Sequence, residues 1–466
     1  MIHQKFFGEK AERVTPENLG EAVQQAIEIE ISTIPTYLFT YYSINRAPNQ
    51  QAMINSLTNA LLKIDREPRY TFEEASEMAL NLSADIMVFA NKAGAIIMSV
   101  AIEEMLHMAL SSNIKQALAG QPILYGRSPA TWPCDLPGHK PALKINTSKL
   151  DMAQLETFLN IEKPMKPKQK TLKAARNYIP YPTIGEFYDM VIDCLDKNPG
   201  LRYNTRAPQL VPEKGYYAQN NIDTIYYDKN HKPVFTNENE GGDLICVKDR
   251  DSAVAAINLI VEQGEGRLVP DAPYLDKDNN LDFAALLKYQ FKPEPGREVS
   301  HFEKFAEIYQ TYYAMEKQYD ALGITDIHFS ELFVMDIRSN PATTDYPAHI
   351  APVSDLINGV YTYIFVMIEE CYRKSGSTQY ETFMFGIHKS MIFILNSLCG
   401  DIMKLKYRAD DGKEYYASPT FENYNFSPVA RPKAQLQALY AAAVAVYPAI
   451  SYLGVRINDL PDVDLK

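Results

Sequence analysis

Seven carboxylates and imidazoles stand on, or in the case of Glu262 beside, the apolar stripes that helical periodicity draws: Glu30, Glu104, His107, Glu262, Glu265, Glu298 and His301. At 100° per residue, Val23, Ile27, Ile34, Tyr37, Leu38 and Tyr41 form one stripe with Glu30 in its middle. Glu21, Gln24, Gln25, Glu28 and Ser32 fall opposite, so Glu28 is expected on the solvated face. Ala93, Ile97, Val100 and Ile114 share a face with Glu104, His107 and Ser111. Glu104 and His107, three apart, are neighbours on a helix. Glu103, about 80° from that stripe's centre, is an alternative partner for His107 at i+4. Further on, Val254, Ile257 and Val261 lead to Glu265, with Glu262 on the flank beside Asn258. Glu298 and His301 share a face with Phe302, Phe305, Tyr309 and Tyr312, while Glu303 and Glu307 point away.

A lone buried carboxylate costs several kcal/mol unless it is paired or binds a metal. One Glu-x-x-His occurs by chance on helix surfaces. Two of them, each within an apolar stripe and alternating with single glutamates, match the ligand set of a two-metal carboxylate site inside a four-helix bundle. Mixed oxygen and nitrogen donors suit iron, with manganese as the alternative. A buried hydrogen-bonded network without metal is the competing reading. Between Glu262 and Glu265 the phase favours Glu265: if the third and fourth helices run antiparallel, the last turn of one lies level with Glu298 and His301 at the start of the other. Glu262 remains either a further ligand or an acceptor for a ligand histidine.

These residues need long helices to hold them. A helix is expected from Thr15 (N-cap) and Pro16 through about residue 46, with Pro35 inside it. Others are expected at about 83–119, stopped by Gly120-Gln121-Pro122, at 252–266 and at 297–322. Residues 122–250, rich in Pro, Asn and Tyr, read as irregular connections with short helices at 152–161 and 183–195 and a hairpin near 215–235. Two long helices (353–374 and 380–405) and a buried Ala-rich terminal helix follow. The fold expected is mostly α: a bundle over residues 10–335 with a loop-rich insertion, and a helical region, 336–466, packed on it.

Composition narrows the function. A formal charge of −12 argues against a nucleic-acid partner. Five cysteines, never in a CxxC pair, give neither a disulfide framework nor a thiolate zinc site, and a cytoplasmic location is expected. The apolar run 438–455 is Ala-rich and broken by Pro448, so no membrane is expected. His388 reads as a core histidine, and the remaining histidines carry no expected role.

The stretches EIEISTIPTYLFTYYSI, AIEEMLHMALSSNIKQALAG, TIGEFYDMVI, AINLIVEQGEG and EVSHFEKFAEIY together resemble the ferritin-like domain of the iminophenyl-pyruvate dimer synthase family, found in violacein- and rebeccamycin-type biosynthesis. The likeness runs from about residue 15 to 320. The later ASPTFE resembles a motif downstream of that domain in longer relatives. The resemblance implies a ferritin-like bundle with metal ligands at Glu30, Glu104, His107, Glu265 (or Glu262) and His301. Glu298 completes a diiron ferritin-like pattern. It also implies an oxidative enzyme of small-molecule biosynthesis that activates O2 on an organic substrate, working as a monomer or small homo-oligomer. The alternatives are oxidative coupling of iminopyruvates, or a ferritin-like storage or ferroxidase protein. Some family members are associated with haem, which leaves haem open, although no CxxCH motif occurs in this chain.

Overall fold

Helix α1 (Leu19–Ser43) is buried on every side except at Gly20, Glu21 and Tyr42. The computed structural model describes residues 13–64, 69–164, 178–212, 244–265, 272–292 and 299–465. The amphipathic stripe expected of α1 is therefore corrected: its polar face is covered too. Chain from the irregular region lies on it, and the two glutamines serve as edges for loop backbone. Gln24 Nε2 donates to the carbonyl of Ile123 (2.7 Å) and its Oε1 accepts from Ile123 N (3.1 Å). Gln25 does the same with Ile179, at 2.8 and 2.7 Å. Glu28, expected in solvent, is buried, accepting from Tyr178 Oη (3.0 Å) and facing Arg127 (3.5 Å). Helical phase says nothing about a loop arriving from a hundred or more residues away. The helix starts at Leu19, not Thr15, and continues through Pro35.

Helix α2 (Gln50–Leu61), which the sequence reading did not anticipate, packs against α3 (Phe72–Ala119). The latter begins earlier than expected because Thr71 and Glu74 form a capping box: Glu74 N donates to Thr71 Oγ1 (3.2 Å) and Thr71 N to Glu74 Oε2 (2.8 Å). It stops at Gly120, whose φ of 88° is accessible chiefly to glycine. Helices α4 (Met152–Ile161) and α5 (Ile184–Lys197) lie close to expectation. The hairpin expected near 215–235 lies outside the described residues.

Helix α6 (Arg250–Gln263) packs on α3 and α5. After the single turn α7 (Phe283–Leu286), α8 (His301–Leu322) packs on α3 and α4. Ser300 caps α8, its Oγ accepting from Glu303 N at 3.3 Å, so the helix starts at His301 rather than near residue 297. Glu303, expected to point outward, is buried as the other half of this box. Phe302 N donates to the carbonyl of Gly264 (3.3 Å), which ties the start of α8 to the end of α6.

Beyond residue 336, α9 (Ala351–Cys371) is the buried centre. The helix expected at 380–405 is Gly376–Glu381, π-helical turns over Thr382–His388 and Ser390–Leu395, then Asn396–Ile402. The Ala-rich helix Pro432–Val446 packs on α9 but buries only Pro432, Leu436 and Ala443, and ends at Tyr447 before Pro448. That corrects the expectation of a buried terminal helix. Polar ties join this region to the bundle: Gln116 Nε2 donates to the carbonyl of Tyr372 (2.8 Å), and Tyr372 Oη to that of Ala109 (3.0 Å). Among the described residues, three helical stretches are long and apolar enough to cross a membrane by length and composition; 72%, 83% and 50% of their apolar windows are buried inside the protein.

Candidate metal centre

The middle of the bundle holds a dry cluster of acids and imidazoles. Helix α1 supplies Glu30, α3 supplies Glu104 and His107, and the first residue of α8 supplies His301. All four are at most 2% exposed. Glu104 is central: its Oε1 lies 2.9 Å from Nδ1 of His301 and 3.6 Å from Nδ1 of His107. The two rings stack with centroids 5.2 Å apart, so both Nδ1 atoms face the same carboxylate. Each histidine has a second acid on its own side. Glu30 Oε2 is 3.9 Å from His107 Nδ1, and Glu162 Oε2 is 3.6 Å from His301 Nδ1.

Glu162, at the end of α4, carried no signal in the sequence: it is the residue after the last helical position, where periodicity has lapsed. Glu265 likewise lies past the end of α6, whose C-cap is Gly264. It is buried, and its Oε1 accepts from Gly185 N at 2.6 Å in the first turn of α5. A Cβ at Gly185 would collide with this carboxylate, which is why the TIGEF stretch needs glycine there. A Cβ at Gly264 would stand 3.4 Å from Glu162 Oε2, so Glu162 reaches the end of α6. Glu262 is exposed. The buried face of α6 runs Ala253, Ala256, Ile257, Ile260 and Gln263 rather than through Val254 and Val261. Gln263 takes the inward place, its Oε1 accepting from His107 Nε2 at 3.0 Å. Glu298 lies outside the described residues.

The remaining contacts orient the acids. Thr33 Oγ1 donates to Glu104 Oε2 (2.7 Å), Tyr188 Oη to Glu30 Oε1 (2.8 Å) and Tyr37 Oη to Glu162 Oε1 (2.5 Å). Glu103, the alternative partner of His107, instead accepts from His301 Nε2 (2.7 Å) and meets the buried Lys304 Nζ at 2.7 Å.

Electrostatics follow from so many acids in a dry site. Burial, then the neighbouring Glu104, pushes Glu30 well above the usual carboxylate range. Burial does the same to Glu265. Burial also acts on Glu104, but hydrogen bonds and charge from His107 and His301 hold it well down. Burial would lower His301, yet Glu103, Glu104 and Glu162 raise it well above an ordinary histidine. The cluster demands positive charge.

The fit to metal can be tested on one atom. Among the described residues, His301 Nδ1 is buried and, despite its 2.9 Å approach to Glu104, has no aligned hydrogen bond. With Nε2–H committed to Glu103, Nδ1 is the atom left to face the carboxylates and, once its proton is displaced, to bind an ion. Ligand atoms around an ion with bonds of about 2.1 Å lie about 3 Å apart when adjacent. One ligand atom each from Glu104, His107 and His301 fall together within 4.8 Å. The donor set fits a divalent first-row ion.

A family model described as ferritin-like matches residues 23–310. The chain belongs to the ferritin-like family. That match includes Glu30, Glu104, His107, Glu162 and His301, so the carboxylate–histidine centre of this ferritin-like chain lies inside its family domain. A solved structure titled as a ferritin-like protein from Caulobacter vibrioides is similar over 82% of this chain and 96% of its own, at 18% identity and a TM-score of 0.40. No curated protein matches.

Proposed function

We propose that the protein is a metal-dependent oxidative enzyme whose ferritin-like bundle holds two iron or manganese ions and acts with O2 on a small organic substrate. The observation that carries this reading is the paired arrangement about Glu104: His107 with Glu30 on one side and His301 with Glu162 on the other, with Glu104 Oε1 between the two Nδ1 atoms. Glu30, Glu104, Glu162, His107 and His301 would hold the ions, with Glu265 as an acidic neighbour of Glu162. Bound iron supplies the reduction of O2. The chain's own residues keep the site dry, and Thr33, Tyr37 and Tyr188 hold the carboxylates in position by donating to them.

Storage is the less favoured reading, because the family domain occupies only residues 23–310 and the chain continues through a helical region tied onto it. Long additions of this kind are more useful as walls of a substrate site than to a cage subunit. The test is to load the apo-protein with Fe(II), admit O2, and follow absorbance and mass in solution. The proposed reading expects a defined oxidation of about two irons per chain by a monomer or small oligomer. Continued accumulation of many irons in a particle many times the chain mass would contradict it.

A further inference from the structure

The two histidines of the centre are held by unlike groups. His301 Nε2 donates to Glu103 Oε2 at 2.7 Å, and Lys304 Nζ stands 2.7 Å from both oxygens of the same carboxylate. Glu103, His301 and Lys304 are at most 3% exposed. Among the described residues, His107 Nε2 meets a neutral amide, Gln263 Oε1, at 3.0 Å. Either acceptor fixes the ring so that Nδ1 faces Glu104. The amide shows that orientation alone needs no charge, and a buried lysine–glutamate pair is costly to assemble unless well bonded. An anion behind an imidazole makes it a stronger donor, and loss of such a partner typically costs 10–100-fold in metal affinity.

We infer that the centre is built unequal: the cation position served by His301 and Glu162 fills first, with Glu103 and Lys304 as its positioning residues, and the position served by His107 and Glu30 fills second. This rests on the two-cation reading above. Lys304 has a defined part in it. It neutralises Glu103, so that the carboxylate can stay anionic behind His301 without adding a further uncompensated charge to a cluster already rich in acid.

Calorimetric titration of the full-length apo-protein with Co(II), with the visible spectrum followed in parallel, tests the inference. The wild type should show two classes of one ion each, separated by at least about tenfold. His107→Ala should delete the weaker class and leave the tighter. Glu103→Gln should weaken the tighter class 10–100-fold and leave the other nearly unmoved. Gln263→Glu should tighten the weaker class instead, and this keeps the test alive if the Glu103 variant does not fold. Two equal classes in the wild type, or an equal effect of Glu103→Gln on both, would overturn the inference while leaving the metal centre standing. No Co(II) binding at all would overturn both.

Discussion

Loading the centre should expel protons. In the metal-free protein, burial and Glu104 keep Glu30 protonated above the ordinary carboxylate range, burial does the same for Glu265, and the surrounding acids keep His301 charged. Metal ions bind the deprotonated forms, so each proton displaced makes the apparent affinity rise tenfold per pH unit, about 1.4 kcal/mol. Each of these three groups can therefore give up a proton as metal binds. The linkage has a second face. A carboxylate whose pKa is raised by folding keeps a proton that the unfolded chain has already lost. Metal-free stability should therefore fall as the pH rises from about 4.5 toward the raised folded values, and metal should abolish that loss. The assay is calorimetric Mn(II) titration at pH 6 in buffers of different ionisation enthalpy, where the slope of apparent heat against buffer heat counts protons. One to three per loaded chain is expected, reduced by about one in Glu30→Gln. Binding without proton release, or an affinity flat between pH 5.5 and 7.5, would refute the electrostatic account.

Glu30→Ala should remove the weaker of the two bound ions and leave the tighter one. Glu28→Ala should leave metal content unchanged yet destabilise the fold by about 2 kcal/mol, because it strands Arg127 and Tyr178; thermal melts and elemental analysis of both variants decide this. Glu162→Ala should lower metal content, whereas Glu262→Ala, at an exposed position, should not, and equal retention in the two would remove Glu162 from the ligand set. His139 is buried, and burial pushes its pKa down to about 4, below the unfolded 6.5. Its contribution is whole above pH 6.5 and is lost as the pH falls toward 4, about 3 kcal/mol in all. Urea melts of wild type and His139→Phe across that window should differ in slope, and identical slopes would exclude His139 as the source.

Long stripes made Glu30, Glu104, His107 and His301 legible in the sequence, because helices of 22 to 48 residues give periodicity enough turns to define an inward face. Glu162 and Glu265 sit just beyond helix ends, where phase no longer assigns a direction. Glu265 could still be reached through the antiparallel levels of two helices, whereas nothing local distinguishes Glu162. Gln263 was missed because a 14-residue helix tolerates a wrong stripe: Val254 and Val261 are only partly buried and Ile260 lies inside. Lys304 was there to be found, one turn after His301 on the same face, as a cation among buried aromatics. Glu28 shows the opposite limit. Its polar helical neighbourhood is real, but tertiary cover supplied by Tyr178 and Arg127 decides its environment.

The carboxylates and histidines around Glu104 should together hold two ions. Elemental analysis of apo-protein reconstituted anaerobically with Fe(II) and freed of excess metal tests it most directly. About two irons per chain are expected for the wild type, and neither ion should survive Glu104→Ala. A reconstituted protein that retains no iron, or a Glu104→Ala variant that still holds two, would contradict the account.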